Sequence, residues 1–123
     1  MKPLLPIAVL LLLSGCSGSK RAAPAPLANA NAVRTELYFG GRMDESAWTG
    51  FWNDVVTPRF PGFTVLDGVG FWRGRQMQSK VLVVVHGLTG ADDEKIEFIR
   101  TDFKRRFHHE SVLRTSVGAV FDL

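Results

Sequence analysis

The hydrophobic positions that follow residue 32 change their spacing several times, and each change predicts a different element. From Val33 to Gly40 apolar and polar side chains alternate, which is typical of a strand with two unlike faces. From Trp48 to Val56 the apolar residues recur at helical spacing, and Pro58 ends this helix. Phe63 to Arg73 is predicted to be a second strand, interrupted by two glycines as an edge strand with a bulge would be.

The second half of the chain repeats this order of elements. Lys80 to His86 has an aliphatic centre that is apolar on both faces, which predicts a strand in the middle of a sheet. Asp92 to Phe107 follows as a helix with acidic residues at its start and basic residues near its end. Ser111 to Phe121 is the last predicted strand. The order predicts an α+β, ferredoxin-like β-α-β-β-α-β domain with two helices on one face of a four-stranded antiparallel sheet.

The amino terminus has the features of an export signal. Lys2 precedes an apolar stretch whose ten residues, 4–13, rise about 15 Å as a helix, too short to cross a bilayer. The stretch Leu13-Ser14-Gly15-Cys16 resembles the bacterial lipobox, in which small residues precede a lipidated cysteine. We therefore predict a signal peptide over residues 1–15, a lipidated Ala- and Pro-rich tether over residues 16–32, and the domain over residues 33–123.

The lipobox resemblance implies where the protein is found. It implies diacylglyceryl and amide-linked acyl (palmitate-type) groups on Cys16, and several chains together anchor a protein firmly in a membrane. Ser17 follows the cysteine where lipoproteins of the inner membrane often carry Asp, which favours the outer membrane, facing the periplasm. Because Cys16 is the only cysteine, an intrachain disulfide is excluded and packing alone must hold the domain.

Composition limits the classes of partner. Nine Phe and three Trp in a chain that is 46% hydrophobic are ample for a core. Without Lys2, the 15 basic side chains become 14 against 12 acidic ones, too even a balance to predict a nucleic-acid partner. The sequence has no phosphate-binding glycine motif and no zinc spacing, so we predict neither cofactor nor metal. His108 and His109 are interpreted as a cationic helix end.

Short stretches throughout the domain carry a second resemblance. They are RTELYFG at 34–40, VTPRFP at 56–61, TVLD at 64–67, WRG at 72–74, SKV at 79–81, KRRF at 104–107 and ESVL at 110–113. Together they resemble a family of small bacterial lipoproteins whose shared domain has no known activity. The resemblance implies family membership and no particular chemistry.

A candidate site lies on the face of the predicted sheet that the helices leave open. Alternation along the first strand directs Arg34, Glu36 and Tyr38 to this face. On the third strand we expect one alternate set to be covered by the helices and the other to face outward. The covered set is Val81, Val83 and Val85; the outward set is Lys80, Leu82, Val84 and His86.

Two functions stay open at this point. In the first, the domain is a non-catalytic binding or assembly module, and an apolar patch at Leu82 and Val84 pairs two copies sheet to sheet in a homodimer. In the second, the domain is a small enzyme that does acid–base or hydrolytic chemistry on a polar substrate. Its pocket would be lined by Arg34, Glu36, Tyr38 and His86. The simplest role for Glu36 is an ion pair with Arg34 or Lys80.

Overall fold

The computed structural model describes residues 29–123. The predicted signal peptide, the lipidation at Cys16 and all but the last residues of the predicted tether lie outside this span. The strands are β1 (Ala32–Gly40), β2 (Thr64–Trp72), β3 (Arg75–His86) and β4 (Leu113–Ala119). The helices are α1 (Glu45–Phe51), which continues into a π-helical turn (Trp52–Val56), and α2 (Gly90–Phe107).

The four strands form one antiparallel sheet in the order β2-β3-β1-β4. Buried side chains of α1 and α2 pack against a single face of this sheet, where Leu37 and Phe39 of β1 meet Leu82 and Val84 of β3. The opposite face carries neither helix. The predicted α+β architecture is therefore confirmed.

Phe39 is the centre of an aromatic core. Its ring is fully buried and lies 4.5 Å from the ring of Phe103 in α2 and 5.6 Å from that of Phe51 in α1, between centroids. Trp48 is also buried, and its ring stacks on that of Trp52 at 5.3 Å. Trp48 belongs to the buried cluster, and the partly buried Trp52 packs against it.

The predicted facing of β3 is wrong. Leu82 and Val84 are buried, at 0% and 1% exposure, while Val85 is 42% exposed on the open face. Register explains the difference: Leu82 pairs with Leu37, whose side chain points at the helices, and directly paired residues share a face. The alternation predicted for β1 is correct, so the error is a shift of one residue in β3 alone.

The strand β3 is also longer than its aliphatic run. The strand was predicted to begin at Lys80, but β3 begins at Arg75 and pairs with β2 as far as Trp72. The chain reverses within Arg73 and Gly74, whose φ angles of 50° and 75° are those of a two-residue hairpin turn. The part of β3 from Arg75 to Ser79 is mostly polar, so it carries no apolar signal.

The helix ends follow from their capping residues. Asp44 accepts a hydrogen bond from the backbone N–H of Ala47 at 2.8 Å and caps α1. His108 ends α2 in the left-handed conformation, its N–H bonded to the carbonyl of Lys104, as expected for a helix end.

The described span contains a hydrophobic core. Among residues 29–123, the hydrophobic cluster runs from Leu37 to Val112. A core of this kind is what an independently folding domain requires. Neither helix of this part of the chain is long and apolar enough to cross a membrane.

Candidate functional site on the open sheet face

Arg34, Glu36 and Tyr38 form a polar stripe along β1 on the open face, as predicted. The Glu36 carboxylate accepts hydrogen bonds at both oxygens, from the Arg34 guanidinium and, at 2.5 Å, from the Tyr38 hydroxyl. Thr115 of the neighbouring strand β4 pairs with Glu36. The predicted ion pair of Glu36 with Arg34 is confirmed.

These hydrogen bonds move the pKa values of Glu36 and Tyr38 away from neutral pH. The hydrogen bond from Tyr38, followed by that from Arg34, lowers the pKa of Glu36 below its ordinary value of 4.5. The same hydrogen bond to Glu36, followed by burial, raises the pKa of Tyr38 above 10.0. A general acid or base works best with a pKa near the working pH, whereas here the carboxylate stays ionised and the phenol protonated. The stripe is thus a self-satisfied polar cluster.

His86 lies on the other side of the sheet from this stripe. It is 8% exposed on the helix face, and its Nε2 lies 2.7 Å from the hydroxyl of Thr35. Its Nδ1 lies 2.9 Å from the carbonyl oxygen of Gly87, which can only accept, so Nδ1 carries the proton. Glu36 pairs with Val83 rather than Val84. The expected neighbourhood of His86 with Glu36 and Tyr38 is therefore wrong, because β3 is shifted by one residue.

The buried histidine belongs to a chain of hydrogen bonds. In the neutral imidazole with the proton on Nδ1, Nε2 accepts and Thr35 donates to it. The Thr35 oxygen in turn lies 2.8 Å from the Ser116 hydroxyl oxygen, which accepts a hydrogen bond from Nε–H of Arg114 at 3.2 Å. Each polar group of this chain has a partner, so the arrangement serves stability.

Apolar side chains surround the polar stripe. Val81, Val83 and Val85 of β3 lie beside it, in direct register with Tyr38, Glu36 and Arg34. Other large apolar side chains of the face are the strongly exposed Leu66 of β2 and Leu113 and Val117 of β4. The open face therefore carries an apolar patch, but the predicted patch at Leu82 and Val84 is wrong, since both residues are buried in the core.

A cavity of about 270 Å³ opens on the helix side, where α1 meets β2 and β3. Trp48 lines it, and Lys80 lies in it with its ammonium group paired to Asp67 and, at 3.4 Å, to Glu45. The hydrogen bond to Asp67 raises the pKa of Lys80, with burial opposing it. Lys80 was predicted to lie on the open face with Leu82, Val84 and His86. Its place in the cavity corrects that prediction, and the cause is again the shift of β3 by one residue.

Nothing in the span from 29 to 123 gathers three or more metal-ligating side chains at one point.

The sequence profile of one protein family, described as Protein of unknown function (DUF3574), matches residues 34–122. The chain belongs to this family. Comparison with curated proteins finds none that matches significantly.

The family match runs from Arg34 in β1 to beyond the end of β4, and so takes in the polar stripe, the cavity and all of the sheet except the first two residues of β1. Sequence reasoning found the stripe because β1 alternates strictly. It missed the cavity, since Lys80, Asp67 and Glu45 meet only through strand pairing and the position of α1. No spacing along the chain signals that meeting.

Proposed function

We propose that this chain is a lipoprotein of the cell envelope, anchored by lipid on Cys16, whose domain is a non-catalytic assembly module. The module pairs with a second copy of itself through the open face. The single observation that carries the proposal is this face: an uncovered sheet surface with exposed Leu66, Val85, Leu113 and Val117 around a polar stripe. Exposed apolar patches of this kind are typical of protein interfaces.

The polar stripe suits a symmetric contact. Each oxygen of Glu36 accepts a hydrogen bond within its own chain, so its burial under a second sheet leaves neither oxygen without a donor. Arg34 is half exposed at its side chain, and the bond to Glu36 uses one nitrogen of a guanidinium that has five N–H donors. Its remaining donors face outward, toward backbone or side-chain oxygens of the second copy.

The enzymatic alternative loses its predicted set. It required His86 beside Glu36 and Tyr38, and these side chains lie on opposite faces of the sheet. The pKa values of the two groups that remain on the open face also move away from neutral pH. Assembly therefore accounts for this face better than acid–base catalysis does.

Sedimentation of residues 29–123 over a wide range of concentration tests the pairing. We expect a reversible dimer for the wild type and at least tenfold weaker association for Val85→Lys, since the ammonium would be buried without a partner. Leu88→Lys is the matched control, because Leu88 is 64% exposed in the loop after β3. A wild-type domain that stays monomeric at high concentration, or equal losses in both variants, would contradict the proposal.

Metabolic labelling of the full chain with a clickable fatty acid tests the anchor separately. The wild type should carry label and sediment with membranes, and the Cys16→Ser variant should carry none, because no other cysteine is present. Label that persists undiminished on the variant would refute lipidation at this position.

A further inference from the structure

The hairpin of β2 and β3 extends past the end of β1. Pairing of β1 with β3 ends at Gly40 and Ser79, whereas β2 and β3 continue to pair up to Trp72 and Arg75. Residues 69–78 therefore form a two-stranded extension closed by the tight turn at Arg73 and Gly74. We call this extension the arm. Both turn residues have positive φ angles, as the two-residue hairpin turn requires.

The arm exposes large apolar side chains on both of its faces. Val69, Phe71 and Trp72 are 60%, 72% and 65% exposed. Phe71 and Trp72 are neighbours in β2, so they point to opposite faces of the arm. Of the three tryptophans of the chain, Trp48 is buried and Trp52 partly buried, which leaves Trp72 as the exposed one. A single flat protein surface covers one face of such an arm and leaves the other in water.

The arm is also cationic, although the domain as a whole is neutral. Three of the 15 basic side chains (Lys2, Lys20 and Arg21) precede the described span, and all 12 acidic ones lie within it. The arm itself carries Arg73 and Arg75, and there is no carboxylate from Gly68 to Ala91. The Arg73 guanidinium lies 5.6 Å from the ring of Trp72. Aromatic side chains with arginines and no acid are the composition that favours an anionic bilayer surface.

We propose that the arm inserts its tip into the headgroup region of an anionic bilayer. A bilayer interface surrounds a thin hairpin, so it covers Phe71 and Trp72 together, while Arg73 and Arg75 at the turn stay among the lipid phosphates. Neither the pairing of two copies nor the lipid on Cys16 is needed for this contact.

The arm is compatible with an anchor at the other end of the sheet. Ala32 enters the sheet beside the end of β3 that is far from the arm, and the 12 residues of β3 span about 40 Å at about 3.4 Å each. Residues 16–31 reach at most about 53 Å at about 3.3 Å each. An acyl group on Cys16 and the arm can therefore contact the same bilayer, with the domain lying along it.

Co-sedimentation of residues 29–123 with vesicles tests the proposal, since this span lacks Cys16. We expect binding to vesicles of phosphatidylglycerol and phosphatidylcholine, and little to phosphatidylcholine alone or in high salt. Arg73→Gln/Arg75→Gln should weaken binding about 25-fold, from about fivefold for each of the two charges near an anionic surface. Phe71→Ser/Trp72→Ser should weaken it more than tenfold. Brominated lipids should quench the fluorescence of the wild type far more than that of Trp72→Phe.

Matched variants distinguish binding through the arm from non-specific binding of exposed apolar or basic side chains elsewhere on the domain. Val120→Ser/Phe121→Ser removes two exposed apolar side chains at the carboxyl terminus, and Lys104→Gln/Arg105→Gln removes two charges at the end of α2. Both controls should bind like the wild type. Equal losses in arm and control variants, or no binding to anionic vesicles, would overturn the proposal. A third result would also overturn it: the wild type does not bind vesicles, and the Phe71→Ser/Trp72→Ser variant loses self-association. A second copy, and not a bilayer, would then cover the arm.

Discussion

Thr35→Val is the substitution that most directly tests the buried placement of His86. Valine has nearly the shape of threonine but removes the hydroxyl that donates to Nε2 of His86 and lies 2.8 Å from Ser116. Thr35 is fully buried, and His86 is 8% exposed, so water does not replace the lost donor. A buried polar group left without its partner costs about 1–3 kcal/mol. Ser116 is half-buried and keeps its bond from Arg114, so most of this loss arises at His86.

The magnitude is large against the whole stability of a small domain, which is about 5–15 kcal/mol. Urea unfolding of residues 29–123 would show it as a lower midpoint with an unchanged slope. In a His86→Leu background the hydroxyl has no imidazole to serve, and Thr35→Val should then cost little. The coupling free energy between the two substitutions should therefore be about 1 kcal/mol or more.

Two results would refute this reasoning. One is a cost for Thr35→Val that is the same with and without His86. The other is a nitrogen NMR spectrum in which His86 carries its proton on Nε2, since the carbonyl of Gly87 assigns it to Nδ1.

Three further predictions concern single residues. Gly41→Ala should destabilise the domain by about 1–3 kcal/mol in thermal unfolding, because φ is +126° and the new Cβ would lie 2.7 Å from the His109 ring; an unchanged Tm would contradict this. Asp44→Ala should cost about 1 kcal/mol and Asp44→Asn much less, since both Asp and Asn cap α1; equal losses would rule the cap out. Glu36→Gln should make the free energy of unfolding depend less on pH below about 5, because a carboxyl whose pKa is lowered on folding stabilises the domain above its ordinary pKa of 4.5 and loses that effect as the pH falls through its folded pKa. An unaltered pH profile below about 5 would argue against the hydrogen bond from Tyr38.

Prediction from sequence succeeded where a single element carries its own signal. The alternation of β1 placed Arg34, Glu36 and Tyr38 on the open face, because successive side chains of a strand point to opposite sides. The helical stripe of α1 placed Trp48 in the core for the same kind of reason. The order of such elements was enough to predict the α+β architecture.

Prediction failed where two elements have to be combined. A run of valines on β3 is apolar on both faces, so its sequence does not tell which alternate set the helices cover. That choice depends on pairing with β1, which places Leu82 against Leu37 and directs His86 inward. One residue of register separated a predicted surface histidine from a buried one.

The amino-acid sequence by itself therefore determined the elements, their order and the faces of the strands that alternate, since these depend on neighbours along the chain. Tertiary structure alone decided which set of β3 is buried and how Lys80 meets Asp67 and Glu45. It also decided how far the hairpin of β2 and β3 extends past β1. The physical reason is that these features are contacts between residues far apart in sequence, and local periodicity does not encode the register that brings them together.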